Sequence, residues 1–298
     1  MTHPTARVPL TLVRHQMPML ATLGRITIDS SLPGRRPSTN PDTFQPAESV
    51  IPPPPNDLVD HYIAWSGGGD RYRTTLPPHM VSQWSLPIAT RILRQSRYTL
   101  TGIINQGVTL TINGDLPRGV PLQLHSHLLD LEEDQGRTRI AVALATGTQS
   151  HPNLVETVLH VAFGVSSKDR RKRPQEQREE PDWQDLGTWR ATTSDGLRFA
   201  ILTGDFNPIH WVGIAGKASP FKTKVLHGFG MFARTYEVLR SQHDLSHLDV
   251  RFLKPVPLPS GELMVEKAEG NHVGEQHVRL VDAKGRPHLA GTYRAHST

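Results

Sequence analysis

The first half of the chain predicts one helix followed by a series of short strands. In residues 80–93, apolar side chains recur at helical spacing, and Pro87 is expected to kink the helix that they form. After Tyr98 the apolar positions fall in short extended runs that turns such as 113–117 separate. We predict strands in these runs, at 100–104, 108–112, 122–131, 138–146 and 154–163.

The second half repeats this order. Phe229, Phe232, Tyr236 and Leu239 lie three or four residues apart and predict a helix over 228–239. Extended runs follow it and predict strands at 248–253, 262–268, 276–282 and 288–295. Because a helix precedes a set of strands twice, we infer an α+β fold of two similar units. In each unit, a curved antiparallel sheet would bury one long helix against its concave face.

Two stretches interrupt these patterns. Residues 31–56 are rich in Pro, Ser and Thr and include four consecutive prolines, which favours an extended arm or connector. Residues 166–185 carry Lys and Arg in their first half and Glu and Asp in their second half. The cations could form an anion-binding site. The acidic residues nearly cancel the positive charge, however, and favour a solvated linker. The predicted divisions are an N-terminal arm and Pro-rich connector (1–56), a first unit (57–165), a charged linker (166–185) and a second unit (186–298).

Composition excludes several classes of function. The 298 residues carry a formal net charge of only +5, which is too small an excess to indicate nucleic-acid binding. With 0 Cys there is no thiol nucleophile, disulfide framework or thiolate metal site. The chain has no apolar run long enough to span a bilayer, and its N-terminal apolar patch is too short for a signal peptide. We therefore expect a soluble, cytoplasmic protein.

One segment combines groups suited to proton transfer. Asp205 and His210 lie five residues apart in a polar run that Pro208 prevents from forming a regular helix, so their side chains can converge across a turn and share one water molecule. A neutral imidazole can take a proton from water, and a carboxyl group can orient that water or carry a second proton. Gly228 begins the second predicted helix, whose first N–H groups lack intrahelical partners and can stabilise an oxygen that becomes negative.

Two other kinds of site fit less well. A serine hydrolase is not favoured, because the chain contains no Gly-x-Ser-x-Gly elbow. A metal site could in principle use Asp205, His210 and His227, but their spacing does not match the His patterns of hydrolytic zinc enzymes. We expect no metal.

The motif Gly204-Asp205-x-Asn207-Pro208-x-His210, followed by His227-Gly228, resembles the hydratase-2 signature of the MaoC-like dehydratases, the (R)-specific enoyl-CoA hydratases of the hot-dog fold. The resemblance covers residues 185–296. The first half is similar to the family's double hot-dog form in layout only, with no Asp-x-Asn-Pro-x-His before residue 200. The resemblance implies a double hot-dog: two fused repeats, each with a curved antiparallel sheet wrapped around a central helix, the first one degenerate and catalytically silent.

This resemblance also implies roles for individual residues. Asp205 and His210 would be the catalytic dyad, Gly228 N–H the donor to the thioester oxygen, and Asn207 the residue that orders the loop. We assign His210 as base toward water and Asp205 as proton donor to the α carbon, and the exchanged assignment stays open. The family adds water reversibly to trans-2-enoyl thioesters to give (R)-3-hydroxyacyl thioesters, as in fatty acid metabolism. No cofactor is implied, since coenzyme A or the phosphopantetheine of an acyl carrier protein (ACP) arrives with the substrate.

Further residues are candidates for substrate contact. His227 could touch the substrate, although packing beside the helix start is the alternative. Arg251 and Lys254 could meet coenzyme A phosphates, although surface cations are often unengaged. Three tryptophans could line an acyl tunnel or be ordinary core residues: Trp65, Trp84 and Trp211.

Three alternatives to a general enoyl thioester hydratase remain at this stage. The same residues would serve a hydratase or dehydratase for a branched or dicarboxylic acyl-CoA. A non-catalytic acyl-thioester-binding subunit would have no need for both proton-transfer groups. A thioesterase would release free thiol, and the Asn207-Pro208-x-His210 arrangement points away from it. Association of two chains into a homodimer of double hot-dogs also stays open.

Overall fold

Ten strands form one antiparallel sheet in this computed structural model, which describes residues 7–31, 40–134, 137–164, 181–270 and 272–296. In chain order they are β1 (Ala47–Ile51), β2 (Ile104–Ile112), β3 (Leu122–Asp134), β4 (Arg137–Gly147), β5 (Val155–Phe163), β6 (Gln184–Arg190), β7 (Leu245–Phe252), β8 (Glu262–Glu269), β9 (Glu275–Asp282) and β10 (Pro287–Ala295). Across the sheet the order is β1-β3-β4-β5-β2-β7-β10-β9-β8-β6.

The sheet order is symmetric about its centre. Read outward from the central pair, the sequence β2-β5-β4-β3-β1 on one side matches β7-β10-β9-β8-β6 on the other. The two five-stranded halves join where β2 pairs with β7, with Val108 opposite Val250. This arrangement agrees with the predicted α+β class and with two similar units joined side by side.

The helices are α1 (Met17–Ser31), α2 (Asn56–Ser66), α3 (Ser82–Leu93), α4 (Asp195–Thr203), α5 (Gly213–Ala218) and α6 (Gly228–Arg240). Helices α3 and α6 are the two that the periodicity predicts, and each packs against its own half of the sheet. Each buried Leu, Ile or Phe stabilises the fold by about 1.5–3 kcal/mol. Helix α6 buries such side chains at the predicted positions: Phe229, Phe232, Tyr236 and Leu239.

Several local predictions differ from the structure. The residues predicted as a strand over 100–104 instead form a 3-10 turn at Leu100–Gly102. Strand β2 begins at Ile104 and includes all of the strand predicted at 108–112. The extended arm predicted over 1–56 contains helix α1 and strand β1, which pairs with β3. Prolines around β1 obscure its short alternation, because four of them follow it directly. Helices α2 and α4 were not predicted.

The predicted linker is only partly visible. Residues 165–180 lie outside the described residues, and Gln184 and Asp185 already belong to β6. The exact boundaries of the two units therefore stay predictions. None of the helices in the described part of the chain has the length and apolar character that crossing a bilayer requires.

Candidate active site

The turn that carries Asp205 and His210 begins at the end of α4. Gly204 closes this helix in the left-handed region, with a φ of 82°, and its N–H donates to the Ala200 carbonyl at 2.7 Å. Glycine adopts that conformation without steric cost, which explains why it stands directly before Asp205. The chain then turns through 205–207 into a 3-10 turn at Pro208–His210.

Two side chains fix the backbone of this turn. The Asp205 Oδ1 atom accepts the Asn207 N–H at 3.3 Å, and the Asn207 Oδ1 atom accepts the Ile209 N–H at 3.3 Å. Both are local side-chain to backbone bonds of the kind that Asp and Asn favour in turns. Asn207 is exposed and bonds within the turn, and its role in ordering the active-site loop stays a prediction.

His210 is held in one tautomer. Its Nδ1 donates to the Val225 carbonyl at 2.7 Å, so in the neutral ring Nε2 carries the free lone pair. One ligand atom each of Asp205, His210 and His227 lies within 4.8 Å of the other two. A single water that bonds to two groups spans up to about 5.6 Å, twice an ordinary hydrogen-bond length. One carboxylate oxygen of Asp205 and one ring nitrogen of His210 therefore lie close enough together to share one water.

Burial changes the acidity of both groups. Desolvation raises the pKa of Asp205 despite the opposing charge of His210, and desolvation lowers the pKa of His210 despite the opposing charge of Asp205. Burial thus favours a protonated carboxyl and a neutral imidazole. That pair of states supplies one proton donor and one proton acceptor at the same place.

His227 connects the dyad to α6. Its side chain is buried, its Nε2 donates to the Asp205 main-chain carbonyl at 2.9 Å, and its ring stacks on His210 with centroids 3.6 Å apart. Burial also lowers the pKa of His227 well below its usual value. Its Nδ1 has no partner among the described residues. Its hydrogen bond and its closest ring contact are both to the dyad, and its ring also packs on Phe199 with centroids 4.9 Å apart.

Gly228 presents a free donor next to this stack. Its N–H has no acceptor within the described ranges, as expected at the start of a helix. A Cβ at this position would lie 2.6 Å from two ring atoms of Phe252, so the backbone can approach that ring only as glycine. Since Gly228 directly follows His227, the donor stands one residue from the ring that covers His210.

The stack does not suit a metal ion. A metal binds imidazole nitrogen along its lone pair, in the ring plane and at about 2.0–2.1 Å. The rings of His210 and His227 are only 27° from parallel, so their lone pairs lie side by side and do not converge. The expectation of no metal remains a prediction that this geometry favours.

The other predicted contacts lie elsewhere. Val250 faces the core, so the next residue of β7, Arg251, points to the opposite face of the sheet, where it pairs with Asp249. Lys254 is exposed just beyond that strand. Trp65 and Trp84 are buried and donate to Asp195 and Thr146 respectively, whereas Trp211 is 37% exposed and donates to the Phe206 carbonyl.

The first half of the chain lacks the N–H donor and the carboxyl group at the positions equivalent to Gly228 and Asp205. Isolated bridges at Thr75–Pro117 and Val225–Pro257 align the two halves: Thr75 lies three residues before the 3-10 turn Pro78–Val81 that leads into α3, and Val225 lies three residues before α6. This alignment places Pro78 where Gly228 stands, and proline has no N–H to donate. The left-handed glycine that ends α2, Gly67, is likewise followed by Gly68 where Asp205 follows Gly204. These replacements support the prediction of a silent first repeat.

Sequence reasoning missed two contacts that shape the site. The Val225 carbonyl sets the His210 tautomer, and the Phe252 ring restricts position 228. A backbone acceptor leaves no signal in residue identity. The Phe252 contact could not be read from spacing either, because it depends on how β7 packs under α6.

Comparisons with known proteins agree with this architecture. Residues 171–284 match the family model of the MaoC like domain. The curated 3-hydroxyacyl-thioester dehydratase X of Mycobacterium tuberculosis is 33% identical over 141 residues, which is 47% of this chain and 49% of that protein. The chain thus spans about half the length of the curated relative that it matches.

Solved structures show the fold. HtdX of Mycobacterium tuberculosis has a TM-score of 0.66 at 22% identity, covering 84% of this chain and 100% of that chain. A conserved hypothetical protein of the same organism, described as a double hot-dog, has a TM-score of 0.51 at 10% identity and covers 85% of this chain and 95% of its own. The predicted double hot-dog fold is confirmed.

Proposed function

We propose that this chain is a MaoC-like dehydratase and that it catalyses the reversible hydration of trans-2-enoyl thioesters to (R)-3-hydroxyacyl thioesters. The match of residues 171–284 to the MaoC like domain and the 33% identity to a 3-hydroxyacyl-thioester dehydratase support this proposal. The observation that carries the proposal is the fixed tautomer of His210 beside the half-buried Asp205 carboxyl. A turn of this kind has a base and an acid within reach of one water, which a purely structural turn does not need.

Each residue has a defined task in the proposed reaction. The His210 Nε2 atom removes a proton from water as the oxygen attacks the β carbon, and the Asp205 carboxyl group donates a proton to the α carbon. The Gly228 N–H stabilises the negative charge that develops on the thioester oxygen. In dehydration the same groups act in reverse. The thioester handle, coenzyme A or a carrier's phosphopantetheine, enters as part of the substrate.

Hydration of crotonyl-CoA tests the proposal, since the enoyl absorbance in the ultraviolet disappears as water adds. We expect turnover by the wild type and a fall in kcat of about 10²–10⁴-fold in both Asp205→Asn and His210→Gln. Matched surface variants, Asp244→Asn and His125→Gln, change an exposed carboxyl and an exposed imidazole and should keep wild-type activity.

Three outcomes would overturn the proposal. The first is turnover that survives undiminished in both dyad variants, which would place the chemistry elsewhere. The second is a wild type that binds crotonyl-CoA without turnover, which would indicate a binding subunit. The third is release of free coenzyme A thiol, which would indicate a thioesterase. Branched, dicarboxylic and longer enoyl substrates, each offered on coenzyme A and on a carrier protein, would then define the substrate.

A further inference from the structure

A buried glutamine from the N-terminal segment contacts the helix that leads into the catalytic turn. Gln16 is 2% exposed and ends the 3-10 turn Leu10–Gln16, well before the sheet begins. Its Nε2 donates to the carbonyls of Ile201 and Leu202, at 3.0 Å each. Both acceptors belong to the last turn of α4, three and four residues before Asp205.

These bonds satisfy acceptors that α4 cannot satisfy by itself. The last four carbonyls of a helix have no intrahelical partner, and a buried carbonyl without a donor is costly. The Gly204 N–H caps Ala200, and Gln16 supplies donors for the next two carbonyls. A single amide group from outside the catalytic repeat thus completes the end of the helix.

The same segment packs on the glycine between α4 and Asp205. A Cβ at Gly204 would lie 2.6 Å from the Cβ of Met19 and 3.0 Å from the Oε1 of Gln16. Met19 is itself buried, at 3% exposure. The backbone just before Asp205 is therefore in close contact with the N-terminal segment, and His227 donates to the carbonyl of Asp205 itself.

We propose that Gln16 is a positioning residue: through its two bonds to the end of α4 it holds the Asp205 carboxyl in register with His210. The role rests on the proposed hydratase function. It assigns the N-terminal segment, which precedes both repeats, a direct part in ordering the active site. Gln16 itself touches neither the dyad nor the reacting atoms.

The test uses the full-length chain with Gln16→Met, which keeps the size and removes the donors. We expect kcat for crotonyl-CoA hydration to fall about tenfold, with KM within twofold, because the thioester oxygen is held by Gly228 on a different helix. The limbs of the pH–rate profile should also move toward the ordinary pKa values of a carboxyl and an imidazole, since a loosened turn admits water. Gln16→His, which retains one ring N–H donor, should recover part of the lost kcat.

Two measurements separate positioning from simple stabilisation. Met17→Ala changes the neighbouring, 62% exposed residue and should leave kcat and the pH profile unchanged. Amide hydrogen exchange should rise at 201–206 in Gln16→Met and stay constant in the core of α6. The positioning role is wrong if any one of three results is obtained in Gln16→Met. These are a kcat that falls only in proportion to the folded fraction, a pH–rate profile that does not change, or amide exchange at 201–206 that does not rise. If the wild type lacks turnover, the proposed function fails, and the exchange experiment still decides whether Gln16 anchors the turn.

Discussion

His227 stacks its ring on His210, with centroids 3.6 Å apart, and at the same time donates from Nε2 to the carbonyl of Asp205 at 2.9 Å. One side chain therefore contacts both members of the dyad. Because His227 is the residue before Gly228, the same contact fixes the dyad relative to the first N–H of α6. One buried imidazole therefore links the proposed acid, the proposed base and the proposed oxyanion donor.

Replacing His227 by Phe should separate the two contacts. The aromatic ring can still stack on His210, but the donor to the Asp205 carbonyl is lost. We expect kcat to fall about 10- to 100-fold from misplacement of the carboxyl, with a smaller change in KM. Steady-state kinetics and thermal unfolding measure the two effects. Wild-type kcat in a folded His227→Phe protein would contradict the positioning that we infer from the geometry.

Gly228→Ala should displace the oxyanion donor. The added Cβ would meet the Phe252 ring at 2.6 Å, so the first turn of α6 must shift. We expect kcat to fall about 10²–10³-fold, the usual cost of losing one such donor. The double variant Gly228→Ala with Phe252→Leu relieves the clash and should recover part of that loss.

A second glycine provides the control for this experiment. Gly213 begins α5, and nothing lies within 4 Å of a Cβ built on it. Gly213→Ala should therefore leave kcat unchanged. If Gly228→Ala is as active as Gly213→Ala, then the N–H of residue 228 does not stabilise the transition state.

The local chemistry of the site was predictable because it lies in one short motif. Asp205, Asn207 and His210 belong to a single turn, so their residue types and spacing already indicate that they can meet. The periodicity of Phe229, Phe232 and Tyr236 likewise predicts α6, since its buried face follows the helical repeat. Both features are local in sequence.

The contacts that complete the site are distant in sequence and could not be predicted this way. Gln16 bonds to carbonyls 185 and 186 residues away, and the backbone carbonyl of Val225 accepts the hydrogen bond from the His210 Nδ1–H. Glutamine at position 16 and valine at position 225 are ordinary residue types for their surroundings, so neither one indicates a contact with the site. Strand β1 escaped prediction for a related reason: five residues beside a proline run carry too little alternation, and only pairing with β3 defines the strand.

Glu237→Gln should destabilise the contact between the two repeats. The Glu237 carboxylate on α6 is buried and accepts from His79 at 2.6 Å and from Arg71 at 2.9 Å, both in the first repeat. Burial would raise its pKa, but the bond and charge of His79 and the charge of Arg71 outweigh this and lower it. We expect the free energy of unfolding to fall by about 3 kcal/mol, the lower range for breaking a buried ion pair.

Denaturant unfolding measures that loss against a surface control. Glu262 pairs with Arg190, and both side chains are more than half exposed. Glu262→Gln should therefore change stability by less than about 0.5 kcal/mol. Because the pKa of Glu237 is lowered, its stabilising contribution should be present at neutral pH and disappear as the pH falls through its folded-state value. Equal effects of the two substitutions would contradict a role of Glu237 in joining the repeats.

Asp205→Asn should stabilise the protein although it lowers kcat. Desolvation raises the pKa of Asp205, so the folded state favours the protonated carboxyl, and ionisation costs stability as the pH rises above the usual carboxyl range. Asparagine stays neutral and can still accept the Asn207 N–H. The difference in Tm between variant and wild type should therefore be small near pH 4 and grow toward pH 8, by about 2–4 °C for each kcal/mol. A difference that shrinks with rising pH would mean that Asp205 is stabilised as the anion, which would remove the reason for assigning it as the proton donor.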